Sequence, residues 1–260
     1  MRVGFVTQTH TGDVGYAEAV AQAAAFGFEY VELYMDGATE RTRFDHDRFV
    51  SLLDDRGLDL LVHLPFLDLD LGTPREAVRR GALDELRACV RDAAEMGAEK
   101  AVLHPYSNAT PPEYRPAEVH PIIVDSVAEL DGFARDLDVE LCAENLPGVQ
   151  LSIHDFDRLF DGTEASMTLD TGHARVDGLD ESEIAAFLDS HLDRVSHLHL
   201  NETRGPRDEH LPFGSGTLDF EAVLAPLLDA DWDGTASIEA YTFDADYLEL
   251  SKRKLDALLA

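Results

Sequence analysis

The sequence predicts a closed (β/α)8 barrel. Three observations carry that expectation: a length of 260 residues, eight apolar strand-like runs each followed by a stretch of helical period, and metal-capable side chains ending six successive runs. About 250 residues is the usual size of one such barrel, so a single unit over residues 1–260 is expected. At this length roughly 70–75% of the unfolded surface can be buried, and no disulfide or structural metal is needed for stability.

The strands are expected at 2–7, 29–34, 58–63, 100–104, 138–144, 165–170, 194–199 and 234–240. The first helical stretch closes on Phe26-Gly27 and the second on Arg56-Gly57, each just before the next strand, as the preference for glycine after a helix predicts. The third, 74–96, is the most regular. Leu83, Leu86, Val90 and Ala93 or Ala94 form one apolar stripe, Arg79, Arg80, Glu85, Arg87 and Arg91 surround it, and Met96-Gly97 ends it. The longest loop, 105–116, carries turn cues in Asn108, Pro111 and Pro112. The later strands recur at the spacing of parallel βα units. An open doubly wound sheet is the competing architecture, but no Gly-x-Gly-x-x-Gly follows the first strand. Trp232, just before the last strand, belongs to the end of the barrel opposite the chemistry.

Charge is the most unusual feature of the composition. There are 21 basic and 52 acidic residues, a formal net charge of −31, and the lysines are Lys100, Lys252 and Lys254 alone. The acids are dispersed through periodic segments in a chain that is 45% hydrophobic, which indicates a folded protein with an acidic surface rather than a disordered tail. Adaptation to high salt, where self-repulsion is screened, is the expectation drawn from it. Nucleic acid is an awkward partner for such a surface, because phosphate binding draws on positive charge. Cys89 and Cys142 form no Cys-x-x-Cys motif, and Met1 leads into a strand with no signal-like segment. With no apolar run approaching the about 18 residues that a membrane span requires, a reduced cytoplasmic setting is expected. A homo-oligomer stays open, since no decisive patch marks an interface.

Chemistry in such a barrel sits at the C-terminal strand ends. Six of them read Val62-His63, Leu103-His104, Ala143-Glu144, Leu169-Asp170, Leu198-His199 and Ile238-Glu239. Strand alternation turns the apolar member of each pair to the helices and the polar member inward, so all six converge on the mouth. Three acids and three histidines at these six places exceed what composition supplies. Inward carboxylates without a cation would repel one another in a poorly solvated mouth. His173, three residues after Asp170, and the Asp208-x-His210 pair after the seventh strand join the set. Mixed imidazole and carboxylate donors suit zinc, manganese, cobalt or iron better than calcium. His197 lies one layer deeper than His199 and is expected to pack or to hydrogen-bond a ligand from behind.

These motifs carry a family resemblance. His63-Leu-Pro, His104-Pro, Glu144-Asn145, Asp170-Thr-Gly-His173, His197-Leu-His199-Leu-Asn201-Glu202, Arg207-Asp208-Glu209-His210-Leu-Pro-Phe-Gly214-Ser-Gly216 and Ser-Ile-Glu239 resemble the xylose isomerase-like TIM-barrel superfamily over about residues 58–240. That superfamily contains sugar-phosphate isomerases and epimerases and the endonuclease IV type of abasic-site nuclease (AP endonuclease family 2). In the isomerase and epimerase branch the resemblance implies a metal on Glu144, Asp170, His199 and Glu239, with His173 contacting substrate. In the nuclease branch it implies three zinc ions on those four together with His63, His104, His173, Asp208 and His210. The stretch after His210 is closer to the sugar-isomerase branch.

The leading expectation is a divalent-metal-dependent isomerase or epimerase of a sugar or sugar phosphate. Glu144 and Glu239, from the fifth and eighth strands, flank the substrate carbon and pass a proton through a metal-stabilised enediolate, and His173 hydrogen-bonds a substrate oxygen. Asn145, Arg204, Arg207, Phe66, Tyr106 and Tyr241 are the candidate substrate contacts, the arginines as binders of a phosphate or carboxylate. The alternatives are abasic-site cleavage on a zinc cluster, for which no basic stripe is visible, and a non-catalytic metal-binding barrel.

Overall fold

The computed structural model describes residues 1–7, 15–148 and 151–260. Eight parallel strands, β1 (Arg2–Val6), β2 (Tyr30–Tyr34), β3 (Asp59–His63), β4 (Lys100–Leu103), β5 (Glu140–Glu144), β6 (Ser166–Asp170), β7 (Val195–Leu200) and β8 (Thr235–Ile238), follow one another in chain order. They close into a barrel when β8 pairs with β1, so the predicted (β/α)8 architecture is the one observed. The helices are α1 (Tyr16–Phe26), α2 (His46–Asp54), α3 (Glu76–Glu95), α4 (Pro116–Arg135), α5 (Asp157–Gly162), α6 (Thr171–Val176), α7 (Glu181–Ser190), α8 (Phe220–Asp229) and α9 (Asp246–Leu259).

That is one helix more than strands among the described residues. The extra one is α6, and its cause is local: the Asp170 carboxylate that ends β6 accepts the His173 N–H at 2.6 Å and so caps a short helix at once. The expected boundaries shift slightly elsewhere. β4 and β8 stop one residue before His104 and Glu239, and β5 starts at Glu140 because Asp138 turns the chain with φ of 58°. Asp45, Asp180 and Asp219 cap α2, α7 and α8 through their side chains, each contribution typically about 1 kcal/mol.

Alternation divides each strand between two environments. Outward residues such as Val31, Leu33, Leu60, Val62, Leu103, Leu169 and Ile238 pack with Val20, Leu83, Leu86, Val127, Val223 and Leu255 of the helices in one buried apolar cluster. Full burial of such side chains is worth about 1.5–3 kcal/mol each. Inward residues are largely polar. Barrels of this class usually fill the interior with branched aliphatics, whereas here Glu32, Thr168, His197, Thr235 and Ser237 lie within it, each at most 1% exposed. Register aligns them: Thr168 pairs with His197, His197 with Thr235, Asp170 with His199 and His199 with Ser237. Gly4 is required by this filling, since a Cβ there would lie 2.2 Å from the ring of Tyr30. At the other end, Lys100 Nζ donates to the Ser196 carbonyl at 2.6 Å and Trp232 Nε1 to that of Val195 at 2.9 Å. No helix among the described residues is long and apolar enough to cross a membrane.

Arginines are too few to neutralise the surface: Arg80 and Arg87 share Glu129, and Arg2 holds both Asp59 and Glu99. The thermal unfolding midpoint should therefore rise as KCl is increased from about 0.1 M to beyond about 1 M, where the screening length falls from about 10 Å to about 3 Å. A flat or falling curve contradicts a surface limited by self-repulsion.

Candidate metal centre

Glu144 and Asp170 end β5 and β6, His199 is the penultimate residue of β7, and Glu239 directly follows β8. All four are buried, and one donor atom from each lies within 4.8 Å of the others. His199 Nδ1 stands 3.0 Å from Glu239 Oε2 and 3.4 Å from Glu144 Oε2. The four strand ends nominated by sequence thus meet at one point.

The remaining candidates ring them. His63 donates through Nδ1 to the Leu64 carbonyl at 3.0 Å, which leaves Nε2 facing Glu144 at 3.6 Å. His104 Nε2 is 3.1 Å from the same carboxylate oxygen. His173, on α6, sits with Nδ1 3.1 Å from Glu144 Oε1 and Nε2 3.2 Å from Asp208 Oδ2. His210 lies 2.7 Å from Asp208 through Nδ1 and 3.3 Å from Glu239 through Nε2. Asp208 and His210 reach the mouth because Glu202 and Leu211 exchange backbone hydrogen bonds of 2.9 and 2.7 Å, folding the loop after β7 back over the barrel.

Sequence reasoning passed over Glu32. It sits in the middle of β2, fully buried, with Oε1 accepting from His199 Nε2 at 3.0 Å and Oε2 from His197 Nε2 at 3.0 Å and the Ser237 hydroxyl at 2.5 Å. The signal was available: one acid inside the otherwise uncharged run Tyr30-Val31-Glu32-Leu33-Tyr34. Asn201, present in the strand-7 motif but given no role there, donates to Asp170 Oδ2 at 2.6 Å.

The charges compensate one another. Burial alone would raise the pKa of Glu144, but His199 and His104 hold it well below the usual carboxylate range. Glu239 is likewise depressed, with His199 and His210 overcoming burial, and in Glu32 the same opposition of burial by His199 and His197 lowers the value. Asp170 goes the other way, to about 7, because burial and the charges of Glu144 and Glu239 outweigh His173. His173 and His199 are raised well above the ordinary imidazole value: burial opposes it, yet Asp170 dominates at His173 and Glu32 at His199.

This donor set fits a divalent cation. His199 Nδ1 and Glu239 Oε2 are buried with no hydrogen-bond partner among the described residues, although they face each other at 3.0 Å. Leaving such groups unpaired in the interior is costly. One imidazole and three carboxylates are donors that zinc, manganese, cobalt or iron accept.

A cavity of about 520 Å³ opens above the cluster, reached by Glu144, His173, Asp208, His210 and Glu239 and walled by Phe66, Tyr106 and Tyr241. Phe66 stacks on His104 with 4.0 Å between centroids, and Tyr241 on His210 with 4.6 Å. Three expected substrate contacts lie elsewhere. Asn145 is fully buried and spends its amide on the Asp170 backbone, at 2.8 and 3.1 Å, bracing β6 instead of facing the cavity. Arg204 is an exposed residue paired with Glu209 at 2.6 Å, and Arg207 is exposed outside the cavity lining.

A closed parallel barrel whose strand ends gather carboxylates and imidazoles beneath one open cavity defines a narrow class of protein. The chain belongs to the xylose isomerase-like TIM barrel family, whose model matches residues 20–258. An uncharacterized protein of Methanocaldococcus jannaschii is 26% identical over 231 residues, covering 85% of this chain and 78% of its own. A probable endonuclease 4 of Malacoplasma penetrans is 28% identical over 199 residues, 68% of this chain and 67% of its own. An inosose dehydratase of Bacillus velezensis is 28% identical over 137 residues, 43% and 45% respectively. Among solved structures, a D-tagatose 3-epimerase-like protein superposes with a TM-score of 0.86 at 24% identity, covering 100% of this chain and 97% of that one. A D-allulose 3-epimerase from Methylomonas sp., solved with D-allulose, gives 0.81 at 17% identity, covering 100% and 97%.

Close packing around Asp170 is testable. A Cβ on Gly172 would lie 1.9 Å from Asn201 Oδ1, so Gly172→Ala must displace the amide that holds Asp170. Urea unfolding should show a loss of about 1–3 kcal/mol, and a variant as stable as the parent contradicts the packing.

Proposed function

We propose that this protein is a divalent-metal-dependent isomerase or epimerase of an unphosphorylated sugar or related polyol. The observation that carries the reading is the placement of Glu144 and Glu239, from β5 and β8, at one cavity with Asp170 and His199 buried beside them. The likeness to sugar 3-epimerases and to an inosose dehydratase supports a sugar-modifying enzyme. A cavity of this volume falls in the usual range for small-molecule sites.

Glu144, Asp170, His199 and Glu239 would hold the cation. When bound, it supplies a Lewis acid that polarises a carbonyl and stabilises the negative charge developing on its oxygen. One of Glu144 and Glu239 removes the proton from the carbon beside the carbonyl, and the other returns a proton. Return to the opposite face of that carbon inverts it, whereas delivery to the neighbouring carbon moves the carbonyl. His173 and His210 face the same space and donate to substrate oxygens, while Phe66, Tyr106 and Tyr241 exclude water around them.

The preference for an uncharged substrate comes from the lining. Neither arginine nor lysine lines the cavity, and residues 8–14 and 149–150 contain none. A phosphate would meet carboxylates without an arginine or lysine to receive it, whereas sugar hydroxyls can donate to those same carboxylates. The relative described as a probable endonuclease 4, together with the approach of His63, His104, Asp208 and His210, supports abasic-site cleavage as a second reading. It lacks a basic surface for a duplex.

Three measurements test the proposal. The metal-loaded protein, incubated in heavy water with a panel of ketoses and aldoses, should place deuterium at carbon 2 or 3, while nicking of an abasic-site oligonucleotide without any exchange would select the nuclease. Glu144→Gln and Glu239→Gln should each lower kcat by about 10²–10⁴-fold, with metal content measured in parallel to separate lost proton transfer from lost metal. Chelation should also lower the unfolding midpoint. Restoring metal at about a hundred times its Kd should return about 2.7 kcal/mol.

A further inference from the structure

Beneath the site, a buried chain of side chains runs to the floor of the barrel. Tyr30, seated where Gly4 leaves room, has its hydroxyl 3.0 Å from Ser237 Oγ; Ser237 donates to Glu32; and Glu32 divides its two oxygens between His199 and His197. His197 is satisfied on its other side, with Nδ1 2.7 Å from the Thr235 hydroxyl. We propose that Glu32 is a positioning residue: by accepting from His199 Nε2, it fixes the His199 tautomer and ring so that Nδ1 presents its lone pair to the metal.

A neutral imidazole carries one N–H, and which nitrogen bears it is set by the acceptor that the ring meets. At His199 the two nitrogens face different surroundings. Nε2 points down to a carboxylate oxygen at 3.0 Å, and Nδ1 points up between Glu144 and Glu239 with no hydrogen-bond partner among the described residues. Were the proton on Nδ1, Glu32 Oε1 would face a lone pair inside a sealed barrel. The fork of Glu32 is itself held in place by Ser237 and His197, so a proton on Nε2 is the arrangement that satisfies Glu32 and leaves Nδ1 to a cation. Glu32, His197 and His199 lie close enough to suggest a deeper ion of their own. The 3.0 Å hydrogen bonds from both imidazoles account for that proximity without one.

The inference rests on the metal reading above but not on the sugar chemistry. In protein labelled with ¹⁵N-histidine, long-range ¹⁵N–¹H spectra of the metal-free form should show His199 protonated on Nε2 whenever it is neutral. The zinc-loaded form should keep that proton, with Nδ1 shifted by the metal. Glu32→Gln cannot accept from both imidazoles, because its amide nitrogen is a donor, so zinc affinity by chelator competition should fall about 10–100-fold, typical of losing such a supporting carboxylate. Cobalt-loaded Glu32→Gln should show an altered visible spectrum.

Thr235→Val removes the hydroxyl that meets His197 and the Ser196 carbonyl but touches neither Glu32 nor His199, and it should keep wild-type zinc affinity even where it unfolds more easily. Should Glu32→Gln fail to fold, the tautomer in the wild-type protein and the Ser237→Ala variant, expected to weaken zinc binding by a smaller factor, still decide the matter. A proton on His199 Nδ1, or equal zinc affinity in wild type and Glu32→Gln, overturns this inference alone. Loss of one whole equivalent of zinc in Glu32→Gln also overturns it, making Glu32 a ligand of a second ion. A wild-type protein that binds no divalent metal overturns the metal reading and this inference with it.

Discussion

Four carboxylates buried inside one barrel set the problem that the rest of the structure solves. Glu32, Glu144, Asp170 and Glu239 are each at most 3% exposed. Two like charges about 4 Å apart repel by about 4 kcal/mol even at an effective dielectric of about 20, a large fraction of the net stability of a domain. The answer is layered. In the lower layer Glu32 accepts hydrogen bonds from His197, His199 and Ser237. In the upper layer His63, His104, His173 and His210 surround the other three acids without satisfying every atom, and that remainder is what a cation would take up.

The barrel makes this arrangement by register rather than by long loops. Because Asp170 aligns with His199 and His199 with Ser237, a ligand, its neighbour and the group supporting it share one side of three adjacent strands. Asp170 serves several purposes at once: it ends β6, caps α6 and so delivers His173 to the cluster, and is braced by Asn145 and Asn201. Disturbing any of these shifts the others, since interiors packed this closely transmit displacement.

Strand-end chemistry was legible because a period of two is unambiguous: apolar-polar pairs such as Leu169-Asp170 and Leu198-His199 fix which side chain faces inward. The depth of the polar interior was not. Glu32 lies mid-strand, where the search for strand-end ligands does not reach, and its partner His197 is 165 residues away in sequence. Loop residues were the least readable. Arg204 looks like an anion binder until Glu209, five residues later, is seen to hold it, and Asn145 follows a ligand in sequence yet turns its amide to the backbone of Asp170. Position in a loop is encoded locally; direction is decided by partners that only folding supplies.

The acidic surface and the acidic cavity are compatible with sugar chemistry for a reason of range. Steering of a charged substrate acts over distances comparable to the screening length, and a formal charge of −31 would turn phosphates away or, in concentrated salt, leave the field without effect. Hydrogen bonds from hydroxyls to Glu144, Glu239 or Asp208 act at about 3 Å, where solvent ions do not intervene, and a bound cation would add direct ligation of substrate oxygens at the same short range. A neutral polyol therefore gains from the groups that line this cavity and loses nothing to the surface around it. A nucleic acid would have to overcome the surface before reaching the cluster at all.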